Sequence, residues 1–171
     1  MAGLVTATAV AAPHVYPHIE LAPWLYPVVG VDVSNHQGEI DWDALAQRGV
    51  AIANIKASEG GTFRDKTIAR NWSEAKRVGI HRGAYHFFRL CKSAVAQARN
   101  FIEAVPQDPE ALPHVVDAED MRPCIATMTP QDHQAMLAEF LDILEKHYGR
   151  RPLVSTTWEF DSATLAGALA G

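Results

Sequence analysis

Asp117 and Glu119 stand two residues apart behind a β-branched run, in the stretch ALPHVVDAED that spans 111–120. Successive side chains alternate faces along a strand, so Val115, Asp117 and Glu119 point the same way. Carboxylates on a partly buried face need a partner, a chemical task or an exit into a solvated acidic turn. Close together, two such groups do not both ionise easily, and one retains a proton. That state suits general acid–base work. Glycoside hydrolysis uses an acid for the leaving oxygen and a carboxylate that attacks, activates water or stabilises positive charge. Two residues of strand rise about 6.6 Å, between the carboxyl separations of retaining and inverting enzymes, so spacing alone leaves the stereochemistry open. Asp32 is a third carboxylate able to form half of the working pair.

The elements that position these groups alternate between strand and helix patterns. Asp32 lies near the end of VVGVDVS, 28–34. In VAIANIKAS, 50–58, Ile52, Asn54, Lys56 and Ser58 share one face, with Ala51, Ala53, Ile55 and Ala57 on the other. In IHRGAYHFF, 80–88, Gly83, Tyr85 and Phe87 oppose Ala84, His86 and Phe88. The stretch at 111–120 is a fourth strand and RPLVSTT, 151–157, a fifth. Helices are expected after Asp41, over about 66–78, after Ser93 and after Thr129-Pro130, with a weaker pattern over 161–170. EGGTFRD, 59–65, reads as a loop. This alternation implies an α/β fold with a parallel sheet and right-handed crossovers, as an open doubly wound sheet or a barrel. Either places ligands at the carboxyl ends of the strands. Asp32, Lys56, Ser58, Tyr85, His86, Asp117 and Glu119 fall at or near those ends. Tyr85, Phe87, Trp42 and Trp72 offer aromatic faces to a sugar, although Trp42 and Trp72 read better as core.

Composition narrows the field. The chain has 171 residues, 48% apolar and 20% charged, enough for one domain with a core. A net charge of -5 without a basic run argues against a nucleic-acid surface and against electrostatic attachment to membrane. Cys91 and Cys124 form no framework or metal motif; they read as ordinary thiols, with a single bridge as the alternative. Residues 1–27, with prolines at 13, 17, 23 and 27, read as an extension rather than a convincing signal peptide, because no Lys or Arg precedes the short apolar run. Phosphate-loop and serine-nucleophile motifs are missing. A metal site would have to draw on Asp32, His86 and Asp117; the carboxylate chemistry needs neither metal nor cofactor, and none is expected.

At these residues the sequence resembles the family 25 glycoside hydrolases, lysozymes that act as muramidases. The matching pieces, in order, are GVDVSNHQGEIDW, IKASEGGTFRD, NWSEAKRVGIHRGAYHFF, QARNFIEAV, LPHVVDAED and RPLVSTT, covering about 29–157. The resemblance implies a TIM-like (β/α) barrel, flattened, whose domain here runs over 28–171. It implies hydrolysis of the β-1,4 bond between N-acetylmuramic acid and N-acetylglucosamine, with peptidoglycan glycan strands as partner and the cell wall as place of action. By motif, Glu119 matches the general acid/base. Asp117 matches its partner, as nucleophile or as orienter of the substrate's acetamido group. Asp32 matches a further carboxylate, and Lys56, Glu59, Tyr85 and His86 match groove-lining positions. One departure stands out: the family continues into three more strands, and nothing after Thr157 resembles them. The expectation is an incomplete barrel of about five parallel strands, and the alternative to an active muramidase is an inactive or merely wall-binding member.

Overall fold

The computed structural model describes residues 28–119 and 128–165. The proline-punctuated extension, Cys124 and the end of the last helical pattern lie outside the described residues. The order is β1 (Val29–Val33), a 3-10 turn (Asn35–Gln37), α1 (Trp42–Gln47), β2 (Val50–Glu59), β3 (Phe63–Arg64), α2 (Ile68–Arg77), β4 (His81–Phe87) and α3 (Ala94–Ala104). It continues with β5 (Val115–Ala118), α4 (Pro130–Tyr148), β6 (Leu153–Thr156) and α5 (Trp158–Phe160), which runs into a wide helical turn, Asp161–Leu165.

The expected caps form. Asp41 accepts from the Ala44 amide at 2.9 Å, Ser93 accepts from the Ala96 amide at 3.3 Å, and Thr129 and Asp132 cap α4 reciprocally. Gly149 ends α4 at φ 74°, a left-handed conformation that costs glycine little. The segment EGGTFRD is not all loop: Phe63–Arg64 pairs antiparallel with the end of β2, Ser58 opposite Arg64 and Glu59 opposite Phe63. A two-residue strand leaves no periodicity to read. Cys91 is disulfide-bonded, so the thiol reading fails there and the bridged one holds.

The five longer strands are parallel and stand in the order β1-β2-β4-β5-β6. Each strand lies beside its predecessor and the winding never reverses, whereas a doubly wound sheet turns back on itself at a switch point. The result is a curled half-barrel in which, among the described residues, β1 and β6 are the edge strands. Its core lies between the convex face and the helices. Small side chains cover the sheet there, with Ala53, Ala57, Ala84 and Ala118 fully buried. Large ones descend from the helices, among them Trp72, Phe101, Leu137, Phe140 and Leu144. Small against large lets the layers interdigitate at crystal-like density. Trp42 and Trp72 belong to this core, as expected.

Candidate active site

The register builds the concave face in rows. Asp32 lies beside Asn54, and Asn54 beside Gly83. The next row runs Lys56, Tyr85, Val115, Leu153. The third runs Glu59, Phe87, Asp117, Ser155. Asp32, Asn54, Tyr85, Val115, Asp117 and Ser155 together line a cleft of about 170 Å³. Asn54 Nδ2 donates to Asp32 Oδ1 at 3.0 Å and fixes that carboxylate on the edge strand. Gly83 makes room for it: a Cβ there would lie 3.2 Å from Asn54 Oδ1 and from the Pro113 carbonyl.

A β-bulge decides which polar residues share the cleft. The β2–β4 register shifts between Lys56 and Ser58, so Lys56 stands opposite Tyr85 while Ser58 stands opposite His86. Strict alternation would have kept Ser58 on the face of Lys56; the extra residue sends it to the helix side instead and brings Glu59 back to the cleft side. Lys56 Nζ then reaches Glu59 Oε2 at 2.8 Å and packs over the rings of Phe63 and Phe87. Arg89 binds the other oxygen of Glu59. Burial pushes the Glu59 carboxyl up, but its hydrogen bonds to Lys56 and Arg89 outweigh this and hold it below the ordinary value.

His86 is not a groove residue. It is fully buried on the convex side, stacked on Phe140 at 4.9 Å. Its Nδ1 meets Ser58 Oγ at 2.8 Å and its Nε2 meets Gln97 Oε1 at 3.2 Å. Gln97 Oε1 also accepts the Arg89 amide, and its Nε2 donates to the Arg89 and Lys92 carbonyls. The amide is thereby oriented, so His86 carries its proton on Nε2 and accepts from Ser58. Burial drives the ring down to about 4, leaving it neutral. His86 therefore holds the Arg89 loop from behind. For the same reason Asp32, His86 and Asp117 do not converge, and the imagined metal triad is not assembled.

Asp117 is half-buried. Burial first, then the charges of Glu119 and Asp32, push its carboxyl up to about 6, with Lys56 opposing. Glu119 follows directly after β5 and is partly exposed. Tyr85 is pushed up to about 12 by burial and by Asp32 and Asp117, with Asp65 adding to the push and Ser34 opposing it. It stays a neutral donor between the acids. The linkage sign follows. Asp117 binds its proton more tightly folded than unfolded, so stability falls as pH rises from about 4 to about 6. Asp117→Asn is expected to stabilise the fold at pH 7 by about 1–2 kcal/mol, a range held down by solvent screening, and to leave it nearly unchanged at pH 4. Urea unfolding at both pH values checks this; equal gains at both would contradict it.

Asp65, Arg89 and Ser155 escaped the sequence reading. Asp65 is buried and accepts from the Asn35 amide at 2.7 Å and from the Thr67 amide and hydroxyl at 2.8 and 2.6 Å. It ties the loop after Asp32 to the entry of α2. The only available signal was its place in the run EGGTFRD.

Comparisons with known proteins agree with this architecture. The family model described as glycosyl hydrolases family 25 matches residues 31–170. The Escherichia coli protein YegX is 33% identical over 150 residues, 85% of this chain and 54% of its own length. The chain thus spans about half the length of that curated relative. An N,O-diacetylmuramidase from Arthroderma benhamiae is 29% identical over 90% of this chain and 68% of its own length. A family 25 glycosyl hydrolase structure from Bacillus anthracis superposes with a TM-score of 0.79 at 34% identity, covering 91% of this chain and 70% of the other. The family match takes in all but the first residues of the strand–helix region, and by it the chain belongs to glycosyl hydrolases family 25.

Proposed function

We propose that the chain hydrolyses the β-1,4 bond between N-acetylmuramic acid and N-acetylglucosamine in peptidoglycan, and that it works at the cell wall. The observation that carries this reading is Asp117, half-buried in a cleft beside Asp32 and next to Glu119, with its proton held to about pH 6. Glu119 gives its proton to the glycosidic oxygen and later takes one from water. Asp117, ionised, faces the positive charge that develops on the sugar, as nucleophile or as orienter of the acetamido group. Asp32, by repulsion, raises the proton affinity of Asp117 and so sets the pH at which it ionises. Tyr85 donates to substrate from the cleft floor, and Lys56 and Glu59 form its rim.

The test is the release of new reducing ends from purified, insoluble peptidoglycan. Co-sedimentation with the walls without new ends would instead favour a binding-only role, which the open sides of the cleft make the second reading: Asp32 and Ser155, on the two edge strands, are both exposed. A pH dependence follows. The roles require Asp117 ionised and a proton for Glu119 to give. Activity is expected to be bell-shaped, with its acid limb rising through about pH 6 as Asp117 loses its proton. Asp32→Asn removes one repulsive charge and should move that limb to lower pH. A rate still climbing at alkaline pH would overturn the acid role.

A further inference from the structure

A cavity larger than the cleft lies away from it. It measures about 460 Å³ and lies between the loop that leads into β5 and the last turn of α4. That volume falls within the range of small-molecule sites. His114 lines it just before β5 begins, so it sits at the opposite end of the strand from Asp117, about 10 Å of strand away.

His114 is only 6% exposed. Its Nδ1 accepts from the Ala84 amide at 3.3 Å, which places the ring proton on Nε2. Nε2 has no partner among the described residues. The ring is buried but its Nε2 is not sealed from solvent, so this unused donor is open to an acceptor in the cavity. The other lining groups sharpen the demand. Asp108 is already occupied by Arg82 and by the Glu110 amide. Tyr148 Oη donates to the Val105 carbonyl, and Gln107 Nε2 to the His147 carbonyl. Arg150 uses one N–H on the Ala111 carbonyl at 3.0 Å and has no carboxylate partner among the described residues. His147 stands at the exposed rim with its Nε2 3.4 Å from Gln107 Nε2, and what remains open further in is a guanidinium fork and the His114 imidazole N–H. Both donate, and a fork fits a planar carboxylate. Around them stand Pro109, Leu112, Pro113 and the Tyr148 ring.

We infer that this slot binds a small carboxylate with an apolar body, held by Arg150 and His114 and packed against Leu112, the two prolines and Tyr148. The chain's net charge of -5 offers anions no general attraction, so affinity must come from these two donors. The His114 imidazole N–H is followed by nitrogen-15 NMR while benzoate, and separately benzamide, is titrated into the full chain. Benzoate is expected to shift that signal saturably, and benzamide to do so far more weakly. Arg150→Met, at an exposed position, should weaken benzoate by about tenfold or more. His114→Phe should weaken it as well, and Arg150→Met keeps the test valid should the phenylalanine disturb β4. Equal binding of benzamide, an unchanged benzoate affinity in Arg150→Met, or no saturable shift in the unaltered chain would each overturn the site. None of these readouts uses peptidoglycan, so they stand apart from the hydrolase reading.

Discussion

Glu119→Gln is expected to release reducing ends from peptidoglycan about 10²–10⁴-fold more slowly than the unaltered chain, the usual contribution of a positioned general acid. Glutamine keeps the shape and loses the transferable proton. The fold should not notice. Glu119 stands beyond the end of β5, is partly exposed and makes no hydrogen bond among the described residues. Its replacement should therefore change stability by no more than about 0.5 kcal/mol. The two measurements separate chemistry from folding: reducing-end release for the first, thermal melting for the second. Equal rates for both proteins would remove Glu119 from the mechanism. A large drop in melting temperature would show that the lost activity was unfolding.

The largest stability effect is expected on the opposite side of the sheet. Phe140→Ala should cost about 3–5 kcal/mol, the range for emptying a buried aromatic site. Phe140 is fully buried, stacked on His86 at 4.9 Å and set edge-on to Phe88 at 5.2 Å. The rings of His86 and Phe88 that pack on it are rigid and cannot spread into the space. Urea unfolding should show a lower midpoint with an unchanged slope. Activity at low temperature should fall too, because His86 loses the support that fixes Gln97 and, through it, the Arg89 loop beneath Glu59. A cost under about 1 kcal/mol would mean that the helix layer does not press on the sheet as described.

The sequence exposed whatever is local. Alternating faces put Lys56 with Asn54 and Tyr85 with Gly83, and the caps at Asp41, Ser93 and Thr129 bounded three helices. The winding direction was not local: alternation fits a barrel and a doubly wound sheet equally, and only the motif resemblance pointed to the barrel. The bulge after Lys56 was also invisible, because it exists only relative to β4. Parity counting therefore kept Ser58 on the cleft side, and the motif match set His86 in the groove. Asp65 and Arg89 went unread for a related reason. Their partners, Asn35 and Glu59, are each 30 residues away, and no periodicity marks a contact at that range.

The unreversed strand order bears on how the chain comes to be folded. Each parallel strand pairs with the one made just before it, so no pairing waits on a strand made later. A nascent chain can complete one β–α–β unit before the next leaves the ribosome. Asp32 and Asp117 sit on β1 and β5, with β2 and β4 between them. Their mutual repulsion is absent from every earlier stage and arrives with β5. The electrostatic burden of the cleft thus falls on a sheet whose first three parallel strands are already in place.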